Sequence, residues 1–456
     1  MRNKFARSLL VNTDSYKSSM VKQYPPGTEV VYSYIESRGG MYDFTVFYGL
    51  QAFVKEYLTE PITREEVEYA SKFWAAHGEP FPYDEWMYIV NELGGKLPVV
   101  IRAVQEGLCI PVKNVLATIE NTDPKCFWLT TWLETALLRA IWYGSTVATR
   151  SKSIKNIIED YLERTGTPEA INFKLHDFGA RGVSSLESAG IAGSAHLINF
   201  MGTDTVSGIL WADEFYSAGV CGFSIPASEH STITSWGKDN EAEAYRNMLT
   251  QFAKPGGLVA CVSDSYDILS ACDIWGRDLK QQVIDSGATL VVRPDSGKPE
   301  TIVPEVIRRL DKWFGSTVNE KGYKVLNNVR VIQGDGVEEV TIRGILMNLE
   351  ILGYSADNIA FGCGGWLLQK VDRDTQKWAM KCSAIQVNGE WRDVYKDPIT
   401  DPGKKSKRGR VTLYKNRDGY FSGVQDWQED ELETVYLNGD LVRYMTFDEV
   451  RANSNK

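Results

Sequence analysis

His230 stands within residues 221–238, CGFSIPASEHSTITSWGK, beside Glu229 and among Ser228, Ser231, Thr232 and Thr234. An apolar run broken at Pro226 and followed at once by these groups reads as a buried strand delivering polar side chains to the loop at its carboxyl end. Histidine changes charge near neutral pH and can also accept a group covalently. The same residue would equally serve as a hydrogen-bonded structural histidine at a helix start. The chain holds only four histidines.

Other strand-like runs end the same way. Residues 173–182 read FKLHDFGARG, 258–264 LVACVSD, 289–297 TLVVRPDSG, 329–336 VRVIQGDG and 358–365 NIAFGCGG. His176, Asp177, Arg181, Glu229, His230, Asp264, Arg293, Asp295, Asp335, Gly364 and Gly365 all fall at such ends. The glycines at 334, 336, 364 and 365 leave backbone N–H groups open to an anion, and in barrel enzymes a phosphate commonly rests on the loops after the last strands. Arg293 suits a phosphate fork, and Asp295 suits sugar hydroxyls or a magnesium ion; a surface ion pair with a turn is the plainer alternative. Lys381, Lys396, Lys404 and the run KKSKRGR at 404–410 could surround a second, more highly charged anion, although such a run is commonly a solvated loop. Phosphate at one end, diphosphate at the other and carboxylates for Mg²⁺ together describe phosphoribosyl pyrophosphate. Phe178 and Tyr16 offer flat walls for an aromatic ligand, or simple packing. Asp204, in GTDT, could accept a ligand amide N–H or cap a helix.

These residues need a scaffold that gathers strand ends. From about 150 onward helical stretches at 184–197, 239–253, 301–314 and 337–352 alternate with the runs above, which implies a parallel sheet. None opens with G-x-G-x-x-G, favouring a closed (β/α) barrel over a dinucleotide-binding sheet. Polar residues at the carboxyl ends then share one rim, where barrels build their active sites. Residues 1–150 mix types: a strand at 29–36, a helix at 45–57, two or three short antiparallel strands within 97–120, and a greasy helix at 127–143 started by Asp123 and Pro124. Strands at 381–394 and 410–414 could return to that first domain. The expected layout is therefore an α+β domain at 1–150, a barrel at 151–380 and a returning segment at 381–456.

Composition excludes several classes. A net charge of -10 and a pI near 5.2 argue against nucleic-acid binding. Seven cysteines without a C-x-x-C pair suggest reduced thiols in the cytoplasm rather than a zinc ribbon or disulfide scaffold. The apolar stretch near the N-terminus is too short for a signal-peptide core, and no run is long enough to span a bilayer. No membrane association is expected.

With these residues assembled, the chain resembles the nicotinamide phosphoribosyltransferase family of type II phosphoribosyltransferases nearly end to end. The blocks that carry this are TDSYK at 13–17, QYPPGTEVVYSYIESR at 23–38, TVFYGLQ at 45–51, NTDPKCFWLT at 121–130, KLHDFGARGVSS at 174–185 and GTDTVSG at 202–208. They continue with PASEHSTITSWGKD at 226–239, SDSYDI at 263–268, RPDSG at 293–297, IQGDGV at 332–337, FGCGG at 361–365 and KDPITDP at 396–402. The loop after Arg38 is short, as in a bacterial or phage version. Ala180 and Trp366 stand where the family commonly has Tyr and Gly.

The resemblance implies an irregular (β/α) barrel with an α+β N-terminal domain completed by C-terminal strands, and a cytoplasmic homodimer with active sites shared between subunits. The reaction implied joins nicotinamide to phosphoribosyl pyrophosphate, giving nicotinamide mononucleotide and diphosphate, with Mg²⁺ and with ATP as co-substrate; nicotinate is the alternative substrate. Tyr16 from the partner chain and Phe178 would sandwich the pyridine, with Asp14, Arg181, Asp204 and Arg293 around it. Arg181, Ser224, His230, Arg293, Asp295, Gly334, Asp335, Gly364, Gly365 and Arg373 would surround the phosphoribosyl group, and Arg38, Lys381, Lys396 and Lys404 the diphosphate. His230 would be phosphorylated by ATP, with Glu229 and Asp264 orienting its ring. Asp264 and Asp295 would be the metal-binding carboxylates.

Overall fold

Runs rich in valine, isoleucine and alanine pair in parallel in the middle of the chain, because the helix after each run brings the next one back in the same direction. The structure is a computed structural model and describes residues 5–400, 405–425 and 429–456. It divides into two compact units, one made of Met1–Thr149, Asp213–Ala218 and Val371–Lys456, the other of Arg150–Ala212 and Gly219–Lys370.

In the second unit six strands form a parallel sheet in the order Gly202–Thr203, Leu175–Asp177, Ile359–Cys363, Val329–Gln333, Thr289–Arg293 and Leu258–Val262. The helices Leu186–Leu197, Glu241–Phe252, Pro299–Phe314 and Glu339–Ile351 begin and end within two residues of the sequence expectation. Ala260, Val291 and Ile332 cluster with Phe178, Ile225 and Ala360, so these alternate positions share the inner face of the curled sheet.

Residues 220–230 differ from the expected regular strand. They make two isolated parallel bridges, Gly202↔Phe223 on one side and Ala227↔Ala260 on the other. Thr203 N–H donates to the Phe223 carbonyl at 3.0 Å, and Ala260 N–H to that of Pro226 at 2.9 Å. Pro226 has no N–H to donate, so a continuous ladder is interrupted there. The segment still bridges the two outermost strands of the sheet and closes it into an irregular barrel.

The first unit is built on a seven-stranded antiparallel sheet in the order Glu390–Asp393, Trp378–Val387, Thr28–Ser37, Val115–Asn121, Val99–Ala103, Glu433–Leu437 and Asp440–Leu441. Its core includes Trp74, Trp86, Trp128 and Trp132 among many aliphatic residues. The expected helix at 45–57 begins instead as the strand Phe44–Val46, paired with Cys109–Pro111, and turns helical only at Leu50. Gly49, at φ 105°, makes that switch. The expected helix at 127–143 is a short turn, Leu129–Trp132, followed by the 32-residue helix Glu134–Thr165. Among the described residues no helix is long and apolar enough to cross a membrane.

Helix Leu186–Leu197 meets helix Val206–Tyr216 through glycine: a Cβ at Gly208 would lie 2.7 Å from the Gly193 carbonyl carbon. Backbone stands on both sides, so neither can yield cheaply. Gly208→Ala is expected to destabilise the protein by about 1–3 kcal/mol, read as a thermal midpoint several degrees lower; an unchanged midpoint would show that the two helices separate freely.

Candidate functional site

The barrel rim carries a continuous string of polar contacts. His230 opens the helix His230–Thr234, and its Nε2 lies 2.8 Å from Asp264 Oδ1. The ring is 44% exposed while the carboxylate is 4% exposed, so one end of the pair meets solvent and the other is buried. Asp264 Oδ2 accepts the Asp295 N–H at 3.1 Å. The Asp295 carboxylate takes both arms of Arg293, at 3.0 and 2.7 Å. The Arg293 guanidinium in turn lies 5.7 Å from the centre of the Phe178 ring. Burial pushes the Asp264 carboxyl up, but hydrogen bonds from Ser296, His230 and the Asp295 N–H outweigh it and hold the group below the usual range. Glu229 is not part of this string: its carboxylate accepts the Ser231 hydroxyl at 2.9 Å. Among the described residues, Asp264 is the carboxylate bonded to the imidazole.

The glycines of the rim do more than expose N–H groups. A Cβ at Gly362 would lie 2.0 Å from Phe178 Cε2, and one at Gly334 would lie 3.0 Å from Asp295 Oδ1 and 3.1 Å from Arg293 Nε. Both glycines make room for neighbouring side chains. Gly364 and Gly365 have no atom closer than 3.7 Å to the place of a Cβ and remain open. Arg181 and Asp335 are exposed. Asp204, also exposed, accepts the Ser224 hydroxyl at 2.5 Å, which joins the 203–205 turn to the bridging segment. His176 points its Nε2 at the Phe173 carbonyl, 3.1 Å away, and burial pulls its pKa down despite the nearby Asp204.

The first unit carries the remaining candidates. Tyr16 is 60% exposed but sits on a pinned segment. Lys17 pairs with Glu134, Thr135 donates to Asp14 at 2.7 Å, and Thr13 donates to the Trp132 carbonyl at 2.8 Å. Arg38 Nε donates to buried Glu36 at 2.9 Å, while its Nη2 is buried without a hydrogen-bond partner among the described residues. Burial pulls the Lys381 pKa down; Glu134 opposes this, and Arg38, Lys396 and Lys17 add to it. That crowding of cations, with a donor left over, describes a place for a polyanion. Arg373 is exposed beside Asp374, and Lys396 is exposed with its N–H on Ser406 Oγ at 3.0 Å.

Lys404 lies outside the described residues. Of the rest of its run, Lys405 and Arg408 are exposed, but Lys407 and Arg410 are engaged by the fold. Lys407 pairs with Glu36 and donates to the Lys113 carbonyl, and Arg410 reaches Glu120 and lies 4.8 Å from the centre of the Trp391 ring. Lys407, Ser296 and Lys17 escape sequence reasoning because their partners are distant in the chain. Among the described residues no group of three or more His, Cys, Asp or Glu could hold a metal. Asp264 and Asp295 are joined through the Asp295 N–H, and both oxygens of the Asp295 carboxylate are taken by Arg293.

Comparison with known proteins gives a consistent result. Residues 173–440 match the model of the nicotinate phosphoribosyltransferase (NAPRTase) family, and residues 8–101 that of the nicotinamide phosphoribosyltransferase N-terminal domain. The chain is 56% identical to a nicotinamide phosphoribosyltransferase of Xanthomonas campestris pv. campestris, with 98% of each chain covered. It is 34% identical to one from Acinetobacter baylyi, covering 96% of this chain and 95% of that one. Among solved structures, the fold is similar to a nicotinate-nucleotide pyrophosphorylase from Pyrococcus furiosus, with TM-score 0.64, 16% identity and coverage of 100% and 97%.

Behind the rim, Asp177 is fully buried. Its Oδ1 accepts the Gly179 N–H at 2.7 Å and its backbone carbonyl accepts the Asp204 N–H at 2.9 Å, tying the Phe178 and Asp204 turns together. Burial raises its pKa from the ordinary 3.8 to about 6, against the Gly179 N–H and the nearby Thr205 and Thr203 hydroxyls. A carboxyl raised on folding stabilises the fold fully below the unfolded pKa, and that contribution is lost as pH rises through the folded one. The loss amounts to about 3 kcal/mol at full ionisation. Asp177→Asn, neutral throughout, should therefore gain stability relative to the parent between pH 4 and pH 7.5 in urea melts; a difference independent of pH would show that Asp177 is not raised.

Proposed function

Because the chain belongs to the nicotinate phosphoribosyltransferase family, we propose that it is the pentosyltransferase that joins nicotinamide to phosphoribosyl pyrophosphate, releasing nicotinamide mononucleotide and diphosphate in NAD biosynthesis. The observation that carries this reading is the end-to-end similarity to nicotinamide phosphoribosyltransferases, at 56% identity for the Xanthomonas relative. The polar string from Phe178 through Arg293, Asp295 and Asp264 to His230 supports it.

The pyridine nitrogen attacks C1 of the ribose with its lone pair, the bond from C1 to the diphosphate oxygen breaks, and that oxygen leaves with the electron pair. The nucleophile has no proton to lose, so no general base is required. Phe178 forms one wall for the ring, and Tyr16 of the partner subunit forms the other in a cytoplasmic homodimer. Asp204, fixed by Ser224, receives the carboxamide N–H and repels a carboxylate. Arg181, the open turn at Gly364 and Gly365, Gly334, Asp335 and Arg373 receive the phosphoribosyl end. Arg38, Lys381, Lys396 and Lys404 stabilise the negative charge that develops on the departing diphosphate. Asp264 and Asp295 are the carboxylates that would hold a magnesium ion, which would supply further neutralisation of that charge.

ATP acts through His230. With Nε2 held by Asp264, the imidazole carries its proton there and keeps the Nδ1 lone pair. Nδ1 takes the terminal phosphoryl group of ATP, the bond to the ADP oxygen breaks, and ADP leaves with the electron pair. Hydrolysis of this phosphohistidine draws the reaction toward product.

Purified protein mixed with nicotinamide, phosphoribosyl pyrophosphate and Mg²⁺ should form nicotinamide mononucleotide, faster with ATP, and should favour nicotinamide over nicotinate by roughly tenfold or more. A preference for nicotinate would remove the role given to Asp204. His230→Ala should abolish ATP hydrolysis and lower the ATP-supported rate at least ~10-fold; an unaltered ATP-coupled rate would remove the phosphohistidine.

A further inference from the structure

Trp366 directly follows the open turn at Gly364 and Gly365. It stands where the family commonly has glycine, and the structure shows what occupies the added side chain. The Arg150 guanidinium carbon lies 4.1 Å from the centre of the indole, and Arg150 Nη1 donates to the backbone carbonyl of the same Trp366. Arg150, in the long helix Glu134–Thr165, is buried, so this cation meets the ring face with little competing water. One guanidinium therefore grips one residue at both side chain and backbone. A guanidinium is planar and can lie flat on the indole while one of its nitrogens reaches the carbonyl; an ammonium has no such face to stack.

The opposite side of the turn packs closely on residues 182–184. A Cβ on Gly182 would lie 3.0 Å from Gly365 Cα, and the Ser184 N–H donates to Gln369 Oε1 at 3.2 Å. The open glycines thus sit between the Arg150–Trp366 stack and the 179–184 turn that carries Arg181. Two adjacent glycines have wide conformational freedom and lose more entropy than other residues when ordered. Fixing them before a ligand arrives lowers the ordering cost of binding.

We propose that Trp366, clamped by Arg150, is a positioning residue that holds the Gly364–Gly365 turn in its phosphate-receiving shape and sets affinity for the phosphate end of the sugar substrate, not for the pyridine. This rests on the phosphoribosyl transfer proposed above.

The test uses the full-length protein and the variants W366A, W366F and R150K. Calorimetric titration with ribose 5-phosphate reads the phosphate end alone, and steady-state kinetics read each substrate. W366A should weaken ribose 5-phosphate binding and raise KM for phosphoribosyl pyrophosphate about tenfold, with KM for nicotinamide and kcat within about twofold. W366F should recover most of the loss because it keeps a ring face for the cation. R150K keeps the charge but not the planar face that stacks on the indole, and should weaken ribose 5-phosphate binding in the same direction as W366A. The proposal is overturned if W366A or R150K binds ribose 5-phosphate as the parent does, or if both KM values rise together. If W366A does not fold, the contrast between W366F and R150K decides, and equal behaviour of those two overturns it. Failure of the broader functional reading looks different: ribose 5-phosphate binding would respond to the variants while no protein formed nicotinamide mononucleotide.

Discussion

The Asp264 side chain is only 4% exposed, and a carboxylate so placed depends on donors from the protein to keep its charge. It finds them on three sides, in His230, Ser296 and the Asp295 N–H, and their combined pull outweighs the burial penalty. Each donor comes from a loop at the carboxyl end of a strand or of the bridging segment. Keeping one buried charge thus fixes the relative placement of His230 and Asp295, and through Asp295 the aim of Arg293 toward Phe178. The barrel supplies the strand ends, and this carboxylate draws their loops into one string.

That string depends on empty space as much as on contacts. Gly362 leaves room for the Phe178 ring, and Gly334 for the Arg293–Asp295 pair. Both would be filled by a single methyl group, so the missing side chains hold the shape of the site as firmly as the charged ones. Gly364 and Gly365 are different, because no atom among the described residues comes closer than 3.7 Å to the place of their Cβ. The rim therefore separates glycines that accommodate the protein from glycines available to an anion.

Charge in the first unit is arranged by the opposite logic. Asp264 is met by donors on several sides, whereas Arg38 keeps a buried nitrogen without an acceptor among the described residues, and Lys381 is crowded by like charges. Glu36 offsets part of this by taking both Arg38 and Lys407. What remains is a surplus of donors in a chain whose net charge is acidic. Cations held together without full compensation cost stability.

Period and punctuation in the sequence determined much of this protein. Apolar runs ending in glycine and polar groups, alternating with amphipathic helices, specify a parallel barrel and put His230, Asp264, Arg293 and Asp295 on one rim, because direction along a strand decides which end a residue occupies. Local reading failed where backbone chemistry competes with side-chain pattern. Pro226 interrupts the ladder in a segment whose apolar residues suggest a strand, and Gly49 turns a strand into a helix within a stretch whose spacing suggests a helix throughout. The tertiary structure alone decided which carboxylate holds His230. Glu229 is its neighbour in sequence, yet Asp264, 34 residues away, makes the bond. It alone decided that Lys407 and Arg410 fold back onto Glu36 and Glu120, and that Trp366 lies under Arg150. These pairings connect side chains on different elements, and their geometry is set by how strands and helices pack, which no spacing along the chain encodes.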